Sequence, residues 1–150
     1  MPGERFKITP AVHLILQKGE KIFLSLRKNT GWHDGEYSLP SGHLEGNETL
    51  LEAMTREAKE EIGITVASED LRLVHVMHRK QSDQERIDFF FSATKWSGEP
   101  ENKEPEKCGG LGWYEIPSLG VILPIDIIPY VEQAVRQSFG GKFYSEYGWD

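Results

Sequence analysis

Three glutamates that stand close together in the chain, Glu57, Glu60 and Glu61, are the residues best suited to chemistry. In an α-helix these positions are i, i+3 and i+4, so the three carboxylates lie on one side of the helix. Like charges at this spacing destabilise a helix by about 0.2–0.5 kcal/mol per pair. A divalent cation such as Mg²⁺, which prefers hard oxygen ligands, would offset the repulsion. Taken alone, the cluster also fits a solvated acidic helix face.

The wider pattern around the cluster favours the metal-binding interpretation. The chain fits Gly-x₅-Glu-x₇-Arg-Glu-U-x-Glu-Glu-x-Gly-U, where U is aliphatic, at Gly42, Glu48, Arg56, Glu57, Ala58, Glu60, Glu61, Gly63 and Ile64. This pattern resembles the signature of the Nudix hydrolases. The stretch at residues 96–104 resembles a loop of the MutT-like members of that family. Ala58 is a mild departure, because it is smaller than Leu, Ile or Val.

The resemblance implies roles for the residues of the helix. It implies that Glu57, Glu60 and Glu61 hold Mg²⁺, or Mn²⁺ as a substitute, with one of them alternatively acting as general base. It groups Arg56 with these catalytic residues. The expected part of Arg56 is structural, because its planar guanidinium suits a two-pronged pairing with the carboxylate of Glu48.

Two more metal ligands are expected outside the helix. Because glycine lets the backbone come close to a cation, the carbonyl of Gly42 is a candidate ligand. By similarity to MutT-like relatives, Glu104 completes the site from a distant polar loop. The alternative for Glu104 is a solvated carboxylate, which is the expected state of its loop neighbours Glu99, Glu101 and Glu106.

The resemblance implies Mg²⁺-dependent hydrolysis of a phosphoanhydride bond. The expected substrate is a nucleoside triphosphate or a related nucleoside diphosphate derivative, with oxidised deoxynucleoside triphosphates among the candidates. No proline occurs between Pro40 and Pro100, where ADP-ribose-cleaving members carry one. Two alternatives stay open: hydrolysis of a nucleoside diphosphate linked to a sugar or alcohol, and a non-enzymatic Nudix-fold ligand sensor.

Several residues near the motif have two interpretations each. Trp32, Tyr37 and Trp96 could stack on a nucleobase, but aromatic side chains at strand ends more often belong to the core. His43 follows the motif glycine and could contact a phosphate, or could be an ordinary surface residue.

Hydrophobic periodicity and turn residues predict the elements that must position these groups. The fold class is α/β, and the resemblance implies a Nudix-type α/β/α sandwich with a mixed β-sheet between helices. The first helix is predicted to begin with a capping box of Thr49 and Glu52 and to end at Gly63. Its core face is predicted to carry Leu51, Met54, Ala58 and Ile62.

Strands are predicted at residues 7–17, 21–26, 71–79, 86–96 and 111–116, with an extended segment at 37–44. Polar loops are predicted at 29–36 and 97–110. An apolar stretch that begins at residue 125 predicts a second helix, whose regular part starts at Pro129 and ends at Phe139. The aromatic tail at residues 143–150 is predicted to dock onto the fold.

Composition limits the remaining possibilities. The 150 residues are expected to form one domain, 1–150. A net charge of −7 disfavours duplex nucleic acid and leaves a small nucleotide-like molecule as the expected partner. No membrane-spanning apolar run or signal-peptide core is visible, and the single cysteine, Cys108, excludes an internal disulfide. These features favour the cytoplasm, and they leave monomer and homodimer open.

Overall fold

The computed structural model describes residues 3–115 and 126–150. Two α-helices, a mixed β-sheet and a short 3₁₀ turn at Ser68–Asp70 make up the regular structure of these residues. In chain order the elements are β1 (Thr9–Lys18), β2 (Lys21–Arg27), β3 (Tyr37–Ser38), β4 (Ser41–His43), α1 (Leu50–Ile62), β5 (Arg72–Gln81), β6 (Gln84–Ala93), β7 (Cys108–Glu115), α2 (Pro129–Phe139) and β8 (Tyr144–Tyr147). The predicted ends at residues 116 and 125 lie outside the described residues.

The sheet is mixed, as predicted. Its main path runs β3-β2-β1-β6-β5-β8, with β4 paired to β1 and β7 paired to β2. The pairs β1–β6 and β5–β8 are parallel, and the other pairs are antiparallel. Each face of the sheet has its own core, and α1 packs into one core while α2 packs into the other. The α/β/α sandwich is therefore confirmed.

The first helix begins and ends as predicted. The Thr49 hydroxyl accepts from the Glu52 N–H, and the Glu52 carboxylate accepts from the Thr49 N–H, at 3.1 and 2.8 Å. Gly63 ends the helix with a positive φ of 73°, which favours glycine. The prediction for Leu51 is wrong, because its side chain is 37% exposed. Leu50 opens the helix and packs against the core in its place, and Leu51 lies about 100° further round.

The second helix and the tail complete the other layer. Pro129 occupies the first turn of α2, where its missing N–H is tolerated. The tail docks as predicted, and it does so as a strand: β8 pairs in parallel with β5. The buried ring of His75 joins the two strands by accepting from or donating to Ser145 Oγ at 2.7 Å. No helix among the described residues is long and apolar enough to cross a membrane.

Candidate active site

Three carboxylates from two distant parts of the chain line one cavity. The cavity has a volume of about 430 Å³, and Glu57 and Glu61 of α1 face it together with Glu104 of the loop before β7. The opposite wall is formed by the end of β2 and includes Arg27. The fold thus brings Glu104 beside the helix glutamates, although 43 residues separate it from Glu61 in the chain.

Glu61 is the most enclosed of the three carboxylates. The backbone N–H of Ser41 in β4 donates to Glu61 Oε2 at 2.7 Å, which fixes the side chain against the sheet. Burial, helped by the charges of the neighbouring Glu57 and Glu104, raises the pKa of Glu61 from its ordinary value of 4.5 to about 8. The hydrogen bond from Ser41 acts in the opposite direction. Glu61 therefore carries a proton more readily than an ordinary glutamate does.

Glu57 lies one helical turn before Glu61 and packs against β4. Its carboxylate occupies the space that a β-carbon on Gly42 would need. Burial raises the pKa of Glu57, while a hydrogen bond from Arg56 Nη1 at 2.7 Å lowers it. The group that lies against Gly42 is thus the Glu57 carboxylate, and the binding of a cation by the Gly42 carbonyl stays a prediction.

Glu60 lies apart from this group. Its side chain is 55% exposed, and its carboxylate accepts from Arg56 Nη1 at 3.2 Å. It is not among the residues that line the carboxylate cavity. The structure therefore brings two of the three helix glutamates to the cavity with Glu104, and the part of Glu60 in metal binding stays a prediction.

Arg56 holds the motif loop against the helix, as predicted. Its Nε and Nη2 donate to the two oxygens of Glu48 at 3.0 and 2.9 Å, which is the two-pronged arrangement that guanidinium favours. Nη2 also donates to the carbonyl of His43 at 3.2 Å. Hydrogen bonding to Arg56 lowers the pKa of Glu48, and burial slightly opposes this effect. Arg56 thereby fixes β4 and the start of the motif loop relative to α1.

The loop that carries Glu104 is closed by its own hydrogen bonds. The Glu104 N–H donates to the side chain of Asn102, and the Glu104 carbonyl accepts from the N–H groups of Lys107 and Cys108, at 3.0, 2.9 and 2.9 Å. Glu101, by contrast, pairs with Lys103 outside the cavity. Glu99, Glu101 and Glu106 are exposed, as expected for solvated loop residues.

The donor chemistry of the cavity suits a hard divalent cation. Carboxylate oxygens are the ligands that Mg²⁺ prefers, and Glu57 and Glu61 are carboxylates whose ionised form is disfavoured by burial. A cation would stabilise that ionised form. In the part of the chain that the structure describes, the acidic side chains do not close to metal-binding distance around a single point. They line a shared cavity without enclosing a common position for the metal.

A second cavity, which the sequence did not predict, lies beside β4. It has a volume of about 320 Å³ and is lined by basic and aromatic side chains, among them His13, Arg27, Trp32, Arg79, Arg86 and Tyr130. His43, which is exposed, lines it as well, so both interpretations of His43 stay open. Trp32 also lines it, whereas Trp96 stacks on Trp113 and lines neither of the two cavities.

A buried charge network supports the floor of this second cavity. Asp88 on β6 accepts from His13 Nε2 on β1 at 3.0 Å and from Arg79 Nε on β5 at 2.7 Å. Burial alone would raise the pKa of Asp88, but hydrogen bonds and charges from His13 and Arg79 outweigh it and hold the pKa at about 2. One signal in the sequence could have brought Arg79 and Arg86 together. The turn at residues 82–83 places them opposite each other in the β5–β6 hairpin.

Comparison with known proteins agrees with this geometry. Residues 7–132 match the NUDIX domain family model. The chain is 30% identical over 98 residues to an 8-oxo-dGTP diphosphatase of Escherichia coli K12, covering 65% of this chain and 74% of that protein. It is 31% identical over 101 residues to an 8-oxo-dGTP diphosphatase of Proteus vulgaris, covering 67% and 88%. The crystal structure of the MutT NUDIX hydrolase from Burkholderia pseudomallei superposes with a TM-score of 0.77 at 24% identity, covering 88% of this chain and 98% of that one. The chain belongs to the Nudix family and is a MutT-like Nudix hydrolase.

Proposed function

We propose that the protein hydrolyses a phosphoanhydride bond in a nucleoside triphosphate or a related nucleoside diphosphate derivative, and that it requires Mg²⁺, with Mn²⁺ as a substitute. The observation that carries the proposal is the convergence of Glu57, Glu61 and Glu104 on one cavity. Three carboxylates that line one cavity, with no ion pair to Glu61 or Glu104 within residues 3–115 and 126–150, are suited to a divalent cation and, through it, to a pyrophosphate.

Each residue has a stated part in this proposal. Glu57, Glu60, Glu61 and Glu104 would hold the metal together with the carbonyl of Gly42, with one of the glutamates alternatively acting as general base. When bound, the cation neutralises the pyrophosphate and lowers the pKa of a water ligand. Arg56 acts as a positioning residue, because its bonds to Glu48 and Glu57 set the distance between the motif loop and the helix.

The substrate is proposed from similarity. Two relatives are named 8-oxo-dGTP diphosphatases, so oxidised purine deoxynucleoside triphosphates belong in the first set to be tested. A nucleoside diphosphate linked to a sugar or alcohol is the second candidate, because the basic cavity beside the carboxylates offers room for a group on the far side of the pyrophosphate. A cytoplasmic location also remains part of the proposal, and the oligomeric state and single-domain extent stay predictions.

The test is a panel of nucleotides with Mg²⁺ or Mn²⁺, in which inorganic phosphate and pyrophosphate are measured separately. We expect at least one member to be cleaved, and Glu61→Gln to lower turnover by about 100-fold or more, because a charged group at the reacting centre is lost. Glu99→Gln, which removes an exposed loop carboxylate, is the matched control and should leave turnover unchanged. Absence of cleavage across the panel, or near wild-type turnover in Glu61→Gln, would overturn the proposal.

A further inference from the structure

The second cavity is strongly basic in a protein whose net charge is −7. We call it the arginine cavity, defined by Arg27, Arg79 and Arg86, with His13 beneath them. Its volume of about 320 Å³ falls within the range of about 300–1,000 Å³ that is typical of small-molecule sites. Among the described residues, no carboxylate lines it. Asp88 lies buried beneath it, and the carboxylates of Glu57 and Glu61 lie against its lining residues Gly42 and Ser41.

Two of the arginines face each other across the β5–β6 hairpin. Arg79 and Arg86 are direct cross-strand partners, and like charges in that position destabilise a sheet. Arg79 is offset by its ion pair with Asp88 at 2.7 Å. The hydrogen-bond partners of the Arg86 guanidinium are uncharged: they are His43 Nε2 at 3.2 Å and Gln84 Oε1 at 3.0 Å. Among the described residues, Arg86 forms no ion pair.

Arg27, like Arg86, has no carboxylate among its described hydrogen-bond partners. Its guanidinium donates to the carbonyl of Trp32 at 2.8 Å and to the hydroxyl of Thr30 at 3.0 Å, both uncharged acceptors. No carboxylate in residues 3–115 or 126–150 forms an ion pair with it. Arg27 and Arg86 thus line one cavity without a direct ion pair among the described residues, although the charges of Asp34 and Glu61 reach Arg27. An anionic ligand would offset the electrostatic cost that remains.

The aromatic walls of the arginine cavity orient these arginines. The guanidinium of Arg27 lies over the ring of Trp32 at 4.8 Å, and that of Arg79 lies over the ring of Tyr130 at 3.9 Å. One face of each ring is therefore covered by a cation, which fixes the guanidinium in place. The rings support a rigid set of donors for an oxyanion, an arrangement in which planar guanidinium is effective.

The arginine cavity adjoins the carboxylate cavity. Arg27 and Ser41 line both, and Ser41 is the residue whose N–H fixes Glu61. A substrate with its pyrophosphate at the carboxylates would extend into the arginine cavity past these two residues. We propose that the arginine cavity binds a phosphate group of the substrate that lies outside the bond being cut, held chiefly by Arg27 and Arg86. This inference rests on the proposed function.

Such a phosphate could have two sources in a nucleotide. It could be the end of a triphosphate chain, or it could be a phosphate ester on the group that the pyrophosphate carries. Two matched pairs of substrates separate the sources: a nucleoside triphosphate against its diphosphate, and an ADP-ribose that carries a phosphate ester against plain ADP-ribose. The pair in which the added phosphate lowers KM identifies the source. Equal KM values within both pairs would overturn the inference.

The decisive variant is Arg86→Gln, with Arg72→Gln as control. Both arginines belong to the β5–β6 hairpin, but Arg72 is exposed at its other end and lines neither cavity. We expect Arg86→Gln to raise KM about tenfold or more for the substrate with the added phosphate, without a matching change in kcat or in the KM of its partner. Arg86→Lys, which keeps the charge, should restore part of the loss. Arg72→Gln should behave as wild type.

A binding measurement separates this inference from the proposed reaction. Ribose 5-phosphate and ribose are titrated by calorimetry into Glu61→Gln protein, with metal removed by EDTA, so that neither turnover nor a metal ion is needed. We expect ribose 5-phosphate to bind more tightly than ribose, and Arg86→Gln in the same background to weaken it about tenfold. Equal binding of the two sugars would overturn the inference even if the enzyme cleaves nucleotides. Selective binding by a protein that cleaves none would overturn only the proposed reaction.

Discussion

Gly42 and Glu57 are packed so closely that a β-carbon on residue 42 would fall on the Glu57 carboxyl group. The φ angle of Gly42 is not in the left-handed region, so backbone conformation does not require glycine there. Glycine is required because the Glu57 carboxylate of α1 packs against β4 at this position. This contact links the first and the central residues of the motif and explains why a glycine stands 15 positions before a glutamate.

Gly42→Ala should therefore act on catalysis through Glu57. The added methyl group forces the carboxylate away from the cavity, since the atoms it meets belong to the end of a flexible side chain. We expect turnover to fall about tenfold or more, because small displacements at a catalytic centre are costly, while thermal unfolding changes little. The matched control is Gly110→Ala, a strand glycine of β7 whose β-carbon would meet nothing within 4 Å. Equal turnover in the two variants would show that the Gly42–Glu57 contact is not required.

Local sequence signals predicted the parts of the fold that depend on neighbours in the chain. The capping box at Thr49, the helix end at Gly63 and the start of α2 at Pro129 were all correct, because each depends on backbone groups within one turn. The pairing of Arg56 with Glu48 was predicted from the family motif and is present. Positions that long-range packing decides were less predictable, as the exposure of Leu51 shows.

The arginine cavity could not be predicted from local sequence patterns, because it depends on contacts between residues that are distant in the chain. His13 contacts Asp88 because β1 and β6 are neighbouring parallel strands. The two residues are 75 positions apart in the chain, and no hydrophobic periodicity predicts that such distant strands pair. In the run Phe89–Phe90–Phe91, the alternation of side chains along a strand turns the middle ring to the face opposite its two neighbours. Phe90 does point to the other face, but a second core covers that face, with the ring fully buried. Sheets covered on both sides carry such continuous apolar runs.

Glu104 can be tested against a neighbour in its own loop. Glu104→Gln keeps the shape of the side chain but removes a charge from the carboxylate cavity. We expect turnover to fall by about tenfold or more and the Mg²⁺ concentration for half-maximal activity to rise, since a ligand charge is lost. Glu106→Gln, two residues away and exposed, should change neither quantity. If the two variants behave alike, Glu104 is a solvated loop carboxylate.

Mg²⁺ should stabilise the folded protein in a way that depends on pH. Because burial raises the pKa of Glu61 from 4.5 to about 8, the metal-free protein keeps that proton up to about pH 8, and Mg²⁺ must displace it. The stabilisation should therefore grow between about pH 6 and pH 9, reaching about 3 kcal/mol when Mg²⁺ exceeds its Kd about 100-fold. Urea unfolding with Mg²⁺ or EDTA measures it.

The matched variants for this prediction are Glu61→Gln and Glu69→Gln. The first removes the titrating group and should abolish the pH dependence of the Mg²⁺ effect. The second removes an exposed carboxylate from the short 3₁₀ turn after α1 and should preserve it. If Mg²⁺ stabilised the wild-type protein equally at about pH 6 and at about pH 9, that result would contradict the raised pKa of Glu61.

Asp88 should govern stability in acid. Its pKa is held at about 2 in the folded protein, against 3.8 for an ordinary aspartate, so its contribution is fully present above about pH 4 and is lost as pH falls towards 2. Asp88→Asn should cost about 3–5 kcal/mol at neutral pH, because Arg79 would remain buried without its counter-charge. The difference in the free energy of unfolding between wild type and Asp88→Asn, measured in urea, should shrink by about 2 kcal/mol between about pH 5 and pH 2. Asp83→Asn, in the exposed turn of the same hairpin, should show no such change with pH. A difference between wild type and Asp88→Asn that stays constant over this range would mean that Asp88 is not held ionised by His13 and Arg79.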